Sequence, residues 1–403
     1  MKEVITLQNV PLETFKKFIT ETVALIEKQG YTANEAKTGI INGLIDVYKK
    51  NPDDIPAEWH ELFAAYIKQQ EEPAVKTTTR KAKNLSLETT NVGKKLRDKN
   101  ALEIFYGEDG GKVHTGNKRN KKNPQEVTAI VSLDFEEVRE WTIHMPQLRK
   151  IRPFDIEILT HAITLREAGN SFVSTDMLFR QMNGGKDKEI TPAMREEIYD
   201  SFSRLGQTWI TIDASEEYAA GYNIKAQFRG ALLPCSMVIG DVILQGKKSH
   251  DCIKIYDTSP LYEYAKAKGQ ISAVPVAMLD IPSVNRTEEN IMLIGYLTRA
   301  YADMRNDKNN IRNVIRYETL YEYIGVEGSN AQVIRNKKTK IRATVRAILD
   351  AWIDRGFIKG YQELTEDNKP VKARIPSAKI RLDFYTVKEL KESAIEEKIT
   401  PST

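Results

Sequence analysis

Arg335, Lys338, Arg342 and Arg346 recur at intervals of three and four residues, and no acidic residue occurs from Ser329 to Leu349. On a helix that spacing gathers the four cations on one face. Guanidinium and ammonium groups in a row, with no carboxylate to neutralise them, suit a polyphosphate. A helix that carries them fits the phosphate-lined major groove of DNA. Lys337 and Lys340 add charge to the same stretch. Ile341, Val345, Ile348 and Trp352 recur at i, i+4, i+7 and i+11 on a neighbouring face, an apolar stripe for the helix to bury. A solvated, Lys/Arg-rich surface helix would show the same cation spacing, so the flanking elements decide between the readings.

A long helix is expected before it, over residues 287–305, with Asn285 and Glu288 as a capping pair. Ile291, Ile294, Leu297 and Tyr301 give that helix its core face. A short helix from Tyr317 to Ile324 follows and is closed by Gly325. The basic helix, read from Arg335, is broken by Gly356. Residues 357–364 then read as a strand, 365–370 as a turn and 378–385 as a second strand. In that second strand Ile380, Leu382 and Phe384 alternate with Lys379, Arg381 and Asp383. Long helix, short helix, basic helix and two-stranded hairpin is the order of a winged helix. In that fold the third helix enters a groove and the hairpin lies over the flanking backbone.

Residues 153–256 read in the same order. Phe154–Ala168 is a helix with Ile156, Leu159, Ile163 and Leu165 mostly on one side, stopped by Gly169 and Asn170. Ser174 caps a short helix carrying Met177, Leu178 and Met182. Thr191 and Pro192, a cap with proline at the first helical position, open a third helix that buries Met194, Ile198, Phe202 and Leu205. Trp209, Ile210 and Ile212 begin a run of strands through Ile255. This third helix carries Arg195 and Arg204 but also Glu196, Glu197 and Asp200, so DNA contact and protein contact stand level for it. The turn with Lys247 and Lys248 is either a backbone contact or an ordinary solvated hairpin tip.

The 403 residues suffice for two or three domains, and the formal net charge of +4 is unevenly spread. Residues 1–72 hold 8 Lys+Arg against 12 Asp+Glu, while residues 73–125 hold 13 against 5. The first segment reads as a small helical domain, with helices over 11–29, 32–50 and 56–70 and an acidic balance suited to docking another protein. The second reads as a flexible basic linker with one short helix near 95–105, which would either add salt-dependent phosphate affinity or serve as a plain solubilising tether. The expected fold class is therefore α+β: two tandem winged-helix domains over 126–282 and 283–390, preceded by the helical domain and the linker, and followed by a polar tail over 391–403.

No catalytic constellation emerges. His60, His114, His144, His161 and His250 are scattered without metal spacing, and Cys235 and Cys252 form neither a metal motif nor a disulfide framework. Residues 107–113 and 240–249 resemble phosphate loops but fail the required spacing. The chain is expected to be non-enzymatic, without metal or cofactor. With no signal peptide and no long apolar run it is also expected to be cytoplasmic, without a membrane partner.

Two winged-helix units in tandem, the second ending in the strand of residues 379–385, resemble the replication initiator proteins of bacterial plasmids over roughly residues 126–385. The resemblance implies binding of successive major grooves in repeated origin DNA and a homodimer formed through the first unit. It assigns groove reading to Arg335, Lys338, Arg342 and Arg346, with Lys369, Lys372 and Arg374 near the second wing. The N-terminal extension departs from the family pattern and suggests docking of host replication proteins. With about six of these cations on phosphates, log K would fall with log salt at a slope near −5. A transcriptional regulator of the same fold is the alternative function.

Overall fold

The computed structural model describes residues 75–77, 79–98, 102–103, 105, 111–118, 126–135, 150–244, 247–306, 313–328, 330–371 and 377–385. By contacts the chain divides into two units, residues 1–76 with 239–250 and residues 77–238 with 251–403. Little of the first unit is described, and the following account concerns the second. The three helices expected within residues 1–72 and the tail over 391–403 lie outside the described residues.

Along the chain, β1 (Val75–Thr77), β2 (Asn84–Glu88), α1 (Asn91–Leu96), β3 (Lys112–Lys118) and β4 (Glu126–Phe135) come first. Next are α2 (Pro153–Glu167), β5 (Phe172–Val173), α3 (Thr175–Met182), α4 (Pro192–Gln207), β6 (Thr208–Asp213), α5 (Ser215–Ala219) and β7 (Gln227–Ala231). Then follow β8 (Cys235–Leu244), β9 (Lys247–Ile255), α6 (Pro260–Ala267), β10 (Ile271–Pro275) and a 3-10 turn (Val276–Leu279). The C-terminal part contains α7 (Glu288–Asn306), β11 (Val314–Arg316), α8 (Tyr317–Ile324), α9 (Ala331–Asp354), β12 (Gly360–Leu364) and β13 (Lys379–Asp383). The described fold is mixed α+β.

Helix starts follow local capping chemistry. The Ser174 and Thr191 hydroxyls accept the backbone N–H groups of Met177 and Met194, as their positions in the sequence predict. Gly325 ends α8 in the left-handed region at φ 69°, where a Cβ would be strained. At α7 the cap differs from expectation. Thr287, not Asn285, offers its hydroxyl to the Asn290 N–H, while the Asn285 carbonyl accepts from the Asn290 side chain.

α2 is the centre of the unit. Every residue from Phe154 to Leu165 is buried, including Asp155, Glu157 and His161, so the one-sided face expected for it is instead a full circumference. It packs against β2, α3, α4 and α7. β2 pairs antiparallel with β10, Leu85 opposite Val274, and Leu85, Leu87, Val92 and Leu96 are all buried. Much of 73–125 is therefore folded structure and not a flexible linker. Its partner strand lies far along the chain, and a window of local composition registers only the lysines around it.

Two stretches share one order of elements. α2, β5, α3, α4 and the β8–β9 hairpin match α7, β11, α8, α9 and the β12–β13 hairpin. In both, the short strand pairs with the second hairpin strand: Val173 with Ile253, and Ile315 with Ile380. The first stretch carries an insertion. β6 and β7 do not join its hairpin; with β3 and β4 they form a separate sheet in the order β3-β4-β6-β7. The single run of strands expected from Trp209 to Ile255 is thus split between two sheets.

The two stretches meet at α2 and α7. Arg299 donates to both oxygens of Glu157, at 2.8 Å for Nη2 to Oε2, and the Tyr323 hydroxyl adds a third bond at 3.0 Å. A Cβ on Gly295 would fall 2.2 Å from Glu157 Oε2, so only glycine lets the carboxylate sit against α7.

Candidate nucleic-acid interface

α9 begins at Ala331, four residues earlier than the basic run suggests, and its cap is Asn330, whose side-chain oxygen accepts the N–H groups of Gln332 and Val333. Its apolar stripe is buried as the spacing predicts: Ile341 is 2% exposed and Val345, Ile348 and Trp352 are fully covered. Burying each such side chain contributes roughly 1.5–3 kcal/mol, which fixes the rotation of the helix and hence where its cations project.

The cations do not behave alike. Arg335 and Lys340 are exposed. Lys338 and Arg342 are half-buried and lie on aromatic rings. Lys338 Nζ is 4.9 Å from the centre of the Tyr321 ring, and the Arg342 guanidinium is 5.6 Å from Tyr317 and 5.8 Å from Tyr321. The two tyrosines stack at 6.0 Å and 23° on α8. Ring faces attract cations and hold these flexible side chains upright. The sequence reading missed this platform. Its signal was two tyrosines four residues apart, which share a helix face.

Arg346 is already partnered. Its Nε and Nη2 donate to Glu363 on β12 at 2.9 and 2.7 Å, and the Tyr317 hydroxyl donates to the same carboxylate at 2.8 Å. Burial alone would raise the Glu363 pKa, but the bonds from Arg346 and Tyr317 outweigh it and hold the carboxyl below its ordinary value. Tyr317 is pushed upward by burial and then by the Glu363 charge. Lys337 turns toward α7, where its ammonium meets Glu289 at 2.8 Å.

α9, α8 and the wing turn enclose a cleft of about 690 Å3 whose lining includes Tyr317, Tyr321, Lys338, Arg342, Lys369 and Ser377. Lys369 is exposed on the turn, which is closed by the Thr365 N–H to the Lys369 carbonyl and by Asn368 at φ 58°. Arg342 Nε and the hydroxyls of Tyr321 and Ser377 are shielded from solvent without a hydrogen-bond partner of good geometry. Tyr321 lies against Arg342 and Ser377 against Glu363, and a hydroxyl beside a cation suits an anionic oxygen. Lys372 and Arg374 lie outside the described residues.

In the first stretch, Arg195 is bound by Asp176 through two bonds of 3.0 and 3.1 Å and by the Thr175 hydroxyl. Arg204 corrects the sequence reading. It is 4% exposed and donates to Asp155 at 2.9 and 2.8 Å and to Glu197 at 2.8 Å. Burial opposes its charge, yet Asp155 and then Glu197 raise its pKa above the ordinary value. It ties α4 to α2 and cannot reach a phosphate. Lys247 and Lys248 open β9, and their side chains lie outside the described residues. The helix that carries exposed, unpaired cations is therefore α9.

Among the described residues no three His, Cys, Asp or Glu side chains are placed to hold a metal ion. No described helix is long and apolar enough to cross a membrane.

No family model matches the chain, and no curated protein matches it. Two crystal structures of RctB domains 2 and 3 are similar to it. One is 11% identical, covering 68% of this chain and 90% of its own at a TM-score of 0.31. The other is 12% identical, covering 70% and 94% at a TM-score of 0.34. A likeness at that identity and superposition establishes neither fold nor function.

Proposed function

We propose that this chain is a sequence-specific double-stranded DNA-binding protein, built on two winged-helix units in tandem, that initiates replication by recognising origin repeats of a plasmid or mobile element. The observation that carries the reading is α9: a helix buried on one face, carboxylate-free from Ser329 to Leu349, with Arg335 and Lys340 exposed, and a cleft lined by Lys338, Arg342 and Lys369 together with Glu318, Glu366 and Asp367 leading to a hairpin. In this reading α9 lies in the major groove and the β12–β13 turn rests on the adjoining backbone. The action is non-enzymatic: binding to several repeats strains neighbouring DNA, and A·T-rich steps open at lower cost. Residues 1–72 are assigned to docking host replication proteins, and the first unit to a homodimer contact.

The test is footprinting of the purified protein on the DNA flanking its own gene at near-physiological salt. Several evenly spaced direct repeats beside an A·T-rich tract are expected. A single inverted repeat would replace the initiator by a transcriptional regulator, and the absence of any discrete footprint would end the sequence-specific reading.

A further inference from the structure

The side chains of α9 that point furthest from the core are not its cations. At 3.6 residues per turn, the stripe opposite Ile341, Val345, Ile348 and Trp352 runs through Gln332, Asn336, Thr339 and Ala343 and on to Asp350 and Asp354, all exposed. Val333, on the same flank as Lys340 and about a quarter turn from this stripe, is 58% exposed. Arg335, Lys338 and Arg342 run along one flank of this stripe, and Lys337 and Lys340 along the other. A helix seated in the major groove turns its flanks to the phosphate walls and its outermost stripe to the base edges on the floor. The first three turns of α9 have that form: Arg335, Lys338 and Arg342 on one side, Lys340 and the Glu289-bound Lys337 on the other, and uncharged side chains between them.

Gln332 Nε2 donates to Asn336 Oδ1 at 2.9 Å. The linked pair keeps one acceptor, Gln332 Oε1, and one donor, Asn336 Nδ2, without further partners among the described residues. The major-groove edge of adenine presents the complement, a donor at N6 and an acceptor at N7. Resting on the DNA-binding function proposed above, we propose that Gln332 and Asn336 read the base sequence at a position occupied by adenine. The flanking cations supply affinity without selectivity.

The test is selection of binding sites from random duplexes with the full chain, followed by titration of variants. Both positions are exposed, so the variants should melt with the parent. Asn336→Ala and Gln332→Ala should each weaken binding to the selected duplex by about tenfold to a hundredfold and relax the preference at one adenine, while random-duplex affinity stays unchanged. Asn336→Asp should move that preference toward cytosine, whose N4 amine donates to a carboxylate. A parent that selects a discrete site while these variants select the same site at the same affinity would overturn the assignment and leave DNA binding standing. A parent that selects nothing would remove both.

Discussion

Glu157 on α2 and Arg299 on α7 lie 142 residues apart and form a doubly hydrogen-bonded ion pair almost wholly out of water, at 1% and 6% exposed. A pair so buried gains little over an apolar contact, but removing one partner strands the other charge. Glu157→Gln should therefore cost about 3–5 kcal/mol in denaturant unfolding. Replacing both residues by Leu and Met should cost far less. Equal losses in the single and double variants would refute the pair's role.

Gly295 offers a test of opposite sign to the usual rule. Gly→Ala within a helix ordinarily stabilises by up to about 1 kcal/mol. Here the new Cβ would lie 2.2 Å from Glu157 Oε2, so Gly295→Ala should lower the melting temperature. A rise would mean that the carboxylate has room to move aside.

His161 sets an acid sensitivity. It is buried in α2, and its pKa is lowered from 6.5 to about 3, first by burial and then by the Arg299 charge. Below pH 6.5 the unfolded chain binds a proton at this ring that the folded chain does not. Stability attributable to the neutral ring is complete above 6.5 and declines as pH falls, at about 1.4 kcal/mol per unit. Between pH 6.5 and 5 the parent should lose about 2 kcal/mol. His161→Gln should remove that slope, measured by urea unfolding at the two pH values; an unchanged slope would place the sensitivity elsewhere.

The Arg346–Glu363 pair divides the row of cations. Because Glu363 already engages Arg346, Arg346→Ala should weaken DNA binding less than Arg335→Ala, whose side chain is exposed. Glu363→Gln should free Arg346 and steepen the salt dependence by about one unit of slope. The comparison is a set of titrations over a range of salt.

With Lys337 and Arg346 paired, the candidates left for phosphate among the described residues are Arg335, Lys338, Lys340, Arg342 and Lys369. The slope of log K against log salt should then be near −4.5 and not the −5 that six contacts would give. Arg342 lies on Tyr317 and Tyr321 away from the outward stripe, so Arg342→Ala should weaken binding about equally on all sequences and reduce the slope by about one. A loss confined to one base position would make it a base contact.

What the sequence disclosed was local. Ser174, Thr191 and Gly325 mark helix ends through bonds made within a few residues of themselves, and the Ile341–Trp352 stripe marks its own buried face. What it hid was long-range. β2 reads as linker because its partner β10 is distant, and β6 and β7 read as one run with the strands that follow because the strands that complete their sheet come earlier in the chain. Charge was misjudged for the same reason. Arg204 looks like any surface arginine until Asp155, 49 residues away, is placed beside it. Even the groove helix was read through its cations, while Gln332 and Asn336 stood out only once the buried face had set the outward direction.

The last turn of α9 is tied to the 3-10 turn that follows β10. Trp352 Nε1 donates to the Met278 carbonyl at 2.9 Å, and Arg355 donates to the Ala277 carbonyl and to Asp280, each at 2.8 Å. For a duplex gripped by both units, these ties put the helical phase between the two bound segments under the protein's control. Inserting about five base pairs between the segments, half a turn of B-DNA, would carry the second groove to the far side of the duplex. The mismatch would then have to be absorbed as DNA twist or by breaking these three bonds.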